Sequence, residues 1–293
     1  MIPRVMGVLN VTPDSFSDGG RYASVDDVLA EAGRMIAEGA SVIDVGGEST
    51  RPGAVPVDPE TELARVLPVV EGLAPLVAEI GVRISIDTRH DEVARAAVAA
   101  GATIVNDVSA SLHEVAADTG AAWIAMHMAG EPSTMQDEPA YGDVVTEVTA
   151  FLVERAEAAT AAGVAEIWID PGLGFGKTVD HNIELISRLD ELVATGWPVV
   201  VGASRKATMG VLSGRSDARV GIGTGDATPT DDRLEASLAV ATWAMSQGVD
   251  MVRAHDVRPH VHAAKVVAGT IPPKPPIGAQ ESAPNGAQSK ETF

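Results

Sequence analysis

The chain contains no cysteine, which excludes disulfides, thiolate catalysis and thiolate-bound metals. Aromatic residues make up 3% of its 293 residues, too few to build a surface on which nucleic-acid bases stack. Positive charge is also scarce: 21 Lys and Arg against 41 Asp and Glu give a formal net charge of −20. Such a chain repels phosphate backbones and anionic lipid surfaces. Neither nucleic acid nor membrane is expected as a partner, and an anionic ligand must meet a local basic cluster. No apolar run reaches the ~18 residues that a membrane span requires. A strand-like run, Val5-Met6-Gly7-Val8-Leu9, begins almost at once, so no stretch reads as a signal peptide and a cytoplasmic location is expected. The excess acid reads as solvated helix faces, as at Asp26, Asp27, Glu60, Glu62, Glu154 and Glu157.

Apolar residues are abundant, at 45%, and they are rhythmically placed. Short β-branched runs fall at 5–10, 41–45, 83–87, 103–106, 122–127, 167–170, 199–202 and 251–253. Helix-period segments lie between them, at 26–38, 59–79, 92–99, 112–118, 144–162, 181–194, 234–247 and 261–267. Several end on a glycine (Gly39, Gly101, Gly163, Gly196), the residue that tolerates the left-handed conformation closing a helix. The alternation predicts a parallel sheet covered by helices. Eight units suit a closed (β/α)8 TIM barrel over residues 1–271. Residues 213–231 read as a mobile loop splitting the seventh unit. Residues 272–293, rich in Pro, Gly, Ala, Ser and Gln, read as a disordered tail. No second domain is expected.

Polar side chains fall where the strands end: Asn10, Asp44, Asp87, Asn106, His127, Asp170, Ser204 and Arg253. Barrel enzymes build their sites from the C-terminal ends of the strands, whereas a doubly wound sheet concentrates its site at one switch point. Taken singly, a strand-end Asp is as readily a helix cap as a ligand-binding group. Likewise His90, His113, His181, His260 and His262 read as structural histidines, and His127 is assigned no catalytic role. Gly176-Lys177-Thr178 imitates the end of a phosphate-binding loop, but Pro171 stands where that pattern requires glycine, so nucleotide hydrolysis is not expected.

Two loops are more specific. Asn10-Val-Thr-Pro-Asp14-Ser-Phe16-Ser-Asp18-Gly-Gly20 follows the first strand, and Gly46-Gly-Glu48-Ser-Thr50-Arg51-Pro52-Gly53 follows the second. Arg51 offers a planar cation for a carboxylate or phosphate, and the flanking glycines suit loops that move over a site. These segments resemble the signature loops of the dihydropteroate synthases, in the pterin-binding family. The similarity continues through Ser85-Ile-Asp87-Thr88, Val105-Asn106-Asp107-Val108-Ser109, Met126-His127-Met128, Asp170-Pro-Gly-Leu-Gly-Phe175-Gly-Lys177, Ser204-Arg205-Lys206 and Arg253-Ala-His255-Asp256.

The resemblance implies a (β/α)8 barrel whose first two βα loops move, and a reaction. A pterin diphosphate loses pyrophosphate from its exocyclic carbon, and the amine of p-aminobenzoate takes its place. It implies that Asp170 accepts the pterin's paired N–H donors, that Asn106, Asp87 and Lys206 meet the rest of the ring edge, and that Met126, Val108, Phe175 and Arg253 form walls around it. Pyrophosphate falls to Asn10, Arg253 and His255, with Mg²⁺ on Asn10 and phosphate oxygens. Phe16, Thr50, Arg51, Pro52 and Lys206 shape the p-aminobenzoate pocket, and Asp87, Lys206, Arg253 and Asp18 carry the catalytic burden. A homodimer, ordered binding with the pterin first, and sulfonamide sensitivity are implied with them.

Three positions depart from the family pattern. Ala207 and Thr208 stand where a Ser or Arg followed by Phe is usual, and Ala110 replaces a common glycine. A catalytically silent pterin-binding paralogue draws its support from Ala207, while Asn10, Arg253 and His255 oppose it. A methyltransferase acting on a reduced folate is opposed by the two intact loops.

Overall fold

A computed structural model describes residues 2–12, 24–49 and 54–270. In chain order the elements are β1 (Arg4–Asn10), α1 (Val25–Ala37), β2 (Val42–Gly46), α2 (Pro59–Val77), β3 (Arg83–Asp87), α3 (Asp91–Ala99), β4 (Ile104–Asp107), α4 (His113–Thr119), β5 (Ala122–Met126) and α5 (Val144–Ala162). They continue as β6 (Ile167–Asp170), α6 (Val179–Ser187), α7 (Leu189–Val193), β7 (Val200–Val201), α8 (Ala207–Arg219), α9 (Leu234–Ser246), β8 (Met251–Ala254) and α10 (Val257–Thr270). The strands form one 8-stranded sheet in the order β6-β5-β4-β3-β2-β1-β8-β7. A parallel bridge between Ile169 and Val199 joins the two ends, with the Ile169 N–H donating to Pro198 O at 2.9 Å. Each strand thus neighbours its sequence neighbours around a closed ring, which a doubly wound sheet does not do.

Strand parity explains both the core and the site. Side chains alternate across a strand, so residues two apart share a face. Met6, Val42, Ile124, Trp168, Val200 and Met251 meet inside the barrel as a buried apolar layer. Two residues further along the same inward face, Val42 gives way to Asp44, Ile104 to Asn106, Trp168 to Asp170, and Met251 to Arg253. The floor is therefore oily and the mouth polar, on the same strands. At the opposite end the Arg4 and Arg83 guanidiniums lie 5.0 and 5.6 Å from the Trp168 ring centroid, a cation–π closure. Arg83 is held there by Glu166 at 2.7 Å. The outward residues of the strands pack on the helices, and truncating one such large buried side chain costs about 3–5 kcal/mol.

The helices begin and end as their caps dictate. Ser24 and Asp27 form a reciprocal capping box on α1, and Asp58 with Pro59 opens α2. Gly39, Gly101, Gly163 and Gly196 all have positive φ. Several expectations need correction. Residues 213–219 are helical, because α8 runs to Arg219. Their loop-like composition is overridden by packing: a Cβ on Gly214 would fall 1.8 Å from Asp226 O on the returning chain. The helix expected over 181–194 breaks at Arg188 (φ −113°) into α6 and α7, and α10 starts earlier than expected. Glu62 is fully buried rather than solvated. The tail expected after residue 271, most of the first signature loop and half of the second lie outside the described residues.

Candidate active site

Arg253 organises the barrel mouth. Its Nε donates to Asp44 Oδ2 and its Nη2 to Asp87 Oδ2, both at 2.6 Å. Asn106 Nδ2 donates to the same Asp44 oxygen at 3.0 Å, which sets the amide's orientation and leaves its carbonyl oxygen for another donor. Burial opposes charge on Arg253, but Asp44 and Asp87 outweigh it and raise the guanidinium further above its ordinary value. Burial pushes the Asp87 carboxyl up, and Arg253 pulls it back. Two of the guanidinium's five donors are spent on these bonds, so it stays oriented and still able to bind an anion.

Across the mouth, Asp170 Oδ1 accepts the Gly172 N–H at 2.7 Å. Burial raises the Asp170 carboxyl, with Lys206 as the main opposing charge. The turn is possible only with glycine: at Gly172 (φ +63°) a Cβ would lie 1.9 Å from His127 O. Lys206 Nζ sits 4.1 Å from the Phe175 ring centroid and donates to Leu173 O. Burial brings the Lys206 ammonium down to about 8, Asp170 opposing. Met126 is buried and is the residue of β5 in register with Asp170. Asp87, Asn106, Met126, Asp170, Phe175, Lys206 and Arg253 are thus brought to one mouth, as expected.

Asn10 ends β1, half-buried, on the strand that neighbours β8. Among the described residues its side-chain amide has no hydrogen-bond partner. His255 follows Arg253 by two residues, and its Nδ1 lies 3.1 Å from Ser204 Oγ, which also accepts the His255 N–H at 3.2 Å. Arg253, Lys206 and His255 form the local basic cluster that a chain of net charge −20 needs for an anionic ligand. Phe16, Asp18, Thr50, Arg51 and Pro52 lie outside the described residues.

Other motif residues are structural. Lys177 is buried, bonded to His127 Nδ1 (2.9 Å) and to the carbonyls of His127, Gly172 and Phe175 (3.2, 3.1 and 3.0 Å). Its ammonium braces the loop from beneath instead of facing a phosphate. Burial and then Lys177 hold His127 down to about 3, so its Nδ1 accepts as a neutral imidazole. Asp107 braces the turn ahead of α4, accepting from Ser111 N (2.7 Å), Leu112 N (2.6 Å) and Trp123 Nε1 (3.2 Å). Ala110 has φ 51°, the left-handed region that accounts for glycine being common there. Asp44 and Ser204 were visible as strand-end polar residues, but nothing in the sequence showed that one anchors Arg253 and the other His255.

Among the described residues one group, Glu48, Glu62 and His90, brings together enough metal-ligating atoms for an ion. It does not match a magnesium site. Both Glu48 oxygens are engaged by Arg89, and His90 Nδ1 contacts Glu62 Oε2 directly at 2.6 Å. Asn10 offers a neutral amide oxygen with no partner among the described residues, a donor that an ion with few protein ligands could use.

Carboxylates, an amide and cations that converge on the mouth of a closed barrel define a pterin-binding enzyme, and the family described as "Pterin binding enzyme" matches residues 6–255. Within it, the chain belongs to the dihydropteroate synthase family. It is 46% identical to dihydropteroate synthase of Mycobacterium leprae over 284 residues, covering 94% of this chain and 95% of that protein. Crystallised relatives agree. Dihydropteroate synthase of Yersinia pestis in a sulfonamide drug complex superposes with a TM-score of 0.81 at 42% identity, covering 92% of this chain and 94% of that one. That of Xanthomonas albilineans with 4-aminobenzoic acid gives 0.80 at 43%, with the same coverage.

Proposed function

We propose that the chain condenses 6-hydroxymethyl-7,8-dihydropterin diphosphate with p-aminobenzoate to 7,8-dihydropteroate, releasing pyrophosphate. The carrying observation is Arg253, pinned by Asp44 and Asp87 beside Asn106 and facing Asp170 and Lys206 within one mouth. Asp170 accepts from the pterin's amino group and neighbouring ring N–H, a pair of charge-assisted bonds. Asn106 offers a carbonyl and an N–H to the mixed edge. Asp87 accepts a remaining ring N–H, and Lys206 donates to the pterin carbonyl and a ring nitrogen. Met126 and Phe175 flank the ring.

In the reaction the exocyclic carbon–oxygen bond breaks with its electron pair leaving on pyrophosphate. The p-aminobenzoate nitrogen then bonds to that carbon and loses a proton to solvent. Arg253 and His255 stabilise the leaving anion, while Asp87 and Asp18 favour the cationic ring. Asn10 with diphosphate oxygens would hold Mg²⁺, which when bound neutralises charge on the leaving group. Phe16, Thr50, Arg51, Pro52 and Lys206 are proposed to receive p-aminobenzoate. The barrel over residues 1–271 carries the whole reaction, in a cytoplasmic homodimer. Among the described residues no helix is long and apolar enough to cross a membrane.

The test supplies purified protein with the pterin diphosphate, Mg²⁺ and p-aminobenzoate, and follows pyrophosphate and dihydropteroate together. Equal release of both is expected. Pterin binding without pyrophosphate release would instead identify a silent paralogue.

A further inference from the structure

Arg89, in the turn between β3 and α3, joins three segments of the barrel rim. Its Nε and Nη2 donate to the two oxygens of Glu48, each at 3.1 Å, a planar fork on a carboxylate. Its Nη1 reaches Glu131, beyond β5, also at 3.1 Å. Glu48 lies just after β2, and its side chain is 6% exposed against 20% for Arg89 and 69% for Glu131. The shielded bond is therefore the one to Glu48, and the Glu131 contact is screened by water. Hydrogen bonding to Glu48 raises the Arg89 guanidinium above its ordinary value, so the cation of the fork is permanent.

Glu48 holds more than Arg89. Its Oε1 also accepts the Val57 N–H at 3.2 Å, so one carboxylate ties both described ends of the segment between β2 and α2. Neighbouring contacts fix the same root. Arg65 Nη1 donates to Gly47 O at 2.7 Å, and His90 pairs with the buried Glu62 of α2 at 2.6 Å. A Cβ on Gly47 would fall 2.7 Å from Val66 Cγ1, so the backbone there is packed directly on α2.

We propose that Arg89 and Glu48 are positioning residues for the second substrate: they fix the take-off of the β2–α2 segment, and through it the affinity for p-aminobenzoate. This rests on the reaction proposed above. Neither residue belongs to the pterin pocket, so loosening the fork weakens p-aminobenzoate binding and leaves pterin binding as it was.

The variants are Arg89→Met, which keeps the stem and removes the fork, and Arg89→Lys, which keeps the charge and reaches one oxygen. With Arg89→Met the KM for p-aminobenzoate is expected to rise about tenfold, because misplacement remote from the chemistry has effects of this size or larger. Arg89→Lys falls between it and the parent. The dissociation constant for pterin diphosphate, measured without p-aminobenzoate, stays within about twofold. Hydrogen exchange at the Val57 amide, followed in the same samples, is expected to quicken in both variants whether or not the protein turns over. Unchanged KM with faster Val57 exchange overturns the link to substrate, as does an equal loss of pterin affinity. Unchanged exchange overturns the staple itself. A parent protein that releases no pyrophosphate refutes the reaction, and the Val57 readout still judges the staple.

Discussion

Asp44 and Arg253, separated by 209 positions in the chain, meet at 2.6 Å through Oδ2 and Nε in the mouth of the barrel. The carboxylate side chain is fully buried and the guanidinium 22% exposed, so the carboxylate acts as the fixed point and the cation as the presented group. A buried pair of this kind contributes little net stability, yet removing one partner strands the other's charge. Asp44→Asn should therefore cost about 3 kcal/mol in urea unfolding. It should also lower kcat roughly 100-fold, through a displaced Arg253. Full turnover in Asp44→Asn would show that Asp87 alone orients Arg253.

Asp170 is the opposite case. Burial raises its carboxyl, and it accepts a hydrogen bond from the Gly172 N–H, so ionising it costs the empty enzyme. Asp170→Asn is expected to leave stability equal or slightly higher while weakening pterin binding by a factor on the order of 100–1,000, the loss of two hydrogen bonds to a charged acceptor. Calorimetric titration with the pterin diphosphate measures it. Unchanged affinity removes Asp170 from the pterin site.

The contrast among Asp44, Asp107 and Asp170 shows how far the sequence could be read. The eight βα units follow from periodicity, and the mouth follows from parity, because an inward apolar residue two positions earlier places Asp44, Asn106, Asp170 and Arg253 on the inner face. What periodicity lacks is partnership. Asp87 and Asp107 both end strands in recognisable motifs, but Asp107 turns to the N–H groups of the turn ahead of α4 and to Trp123, while Asp87 turns to Arg253. The partner of Asp87 lies 166 positions away in the chain, beyond the reach of any local pattern. The Arg89–Glu48 fork escaped notice for the same reason, since both are charged loop residues of a kind that usually faces solvent. The helical continuation through Gly214 depended on a backbone contact from Asp226, which composition does not encode.

Lys206 makes the reaction pH-dependent in a defined direction. Burial lowers its ammonium to about 8, and the proposed donation to the pterin requires the charged form. The kcat/KM for pterin diphosphate is expected to fall as pH rises through about 8. Stability should move the other way. Where the unfolded lysine is still protonated and the folded one is not, the unfolded state binds more protons, and stability rises with pH. Lys206→Arg should carry the alkaline limb upward out of the accessible range. An alkaline limb unmoved in Lys206→Arg assigns it to another group.

Ala207 opens α8 next to Lys206, and is exposed at the mouth. No side chain caps this helix, since Lys206 at the N-cap position makes no capping hydrogen bond. The first backbone N–H groups of α8 and its positive dipole end therefore remain to meet a carboxylate. Thr208 does not compensate, because its hydroxyl is buried and accepts from Asn182 Nδ2 at 3.2 Å. A serine at 207 would add a hydroxyl donor at an exposed position where no neighbour has to move. Ala207→Ser is expected to lower the KM for p-aminobenzoate about fivefold, the equivalent of one modest hydrogen bond of ~1 kcal/mol. The inhibition constant of a sulfonamide that mimics p-aminobenzoate should fall in parallel, with the KM for pterin diphosphate unchanged. If neither constant moves, the p-aminobenzoate carboxylate does not sit at the start of α8.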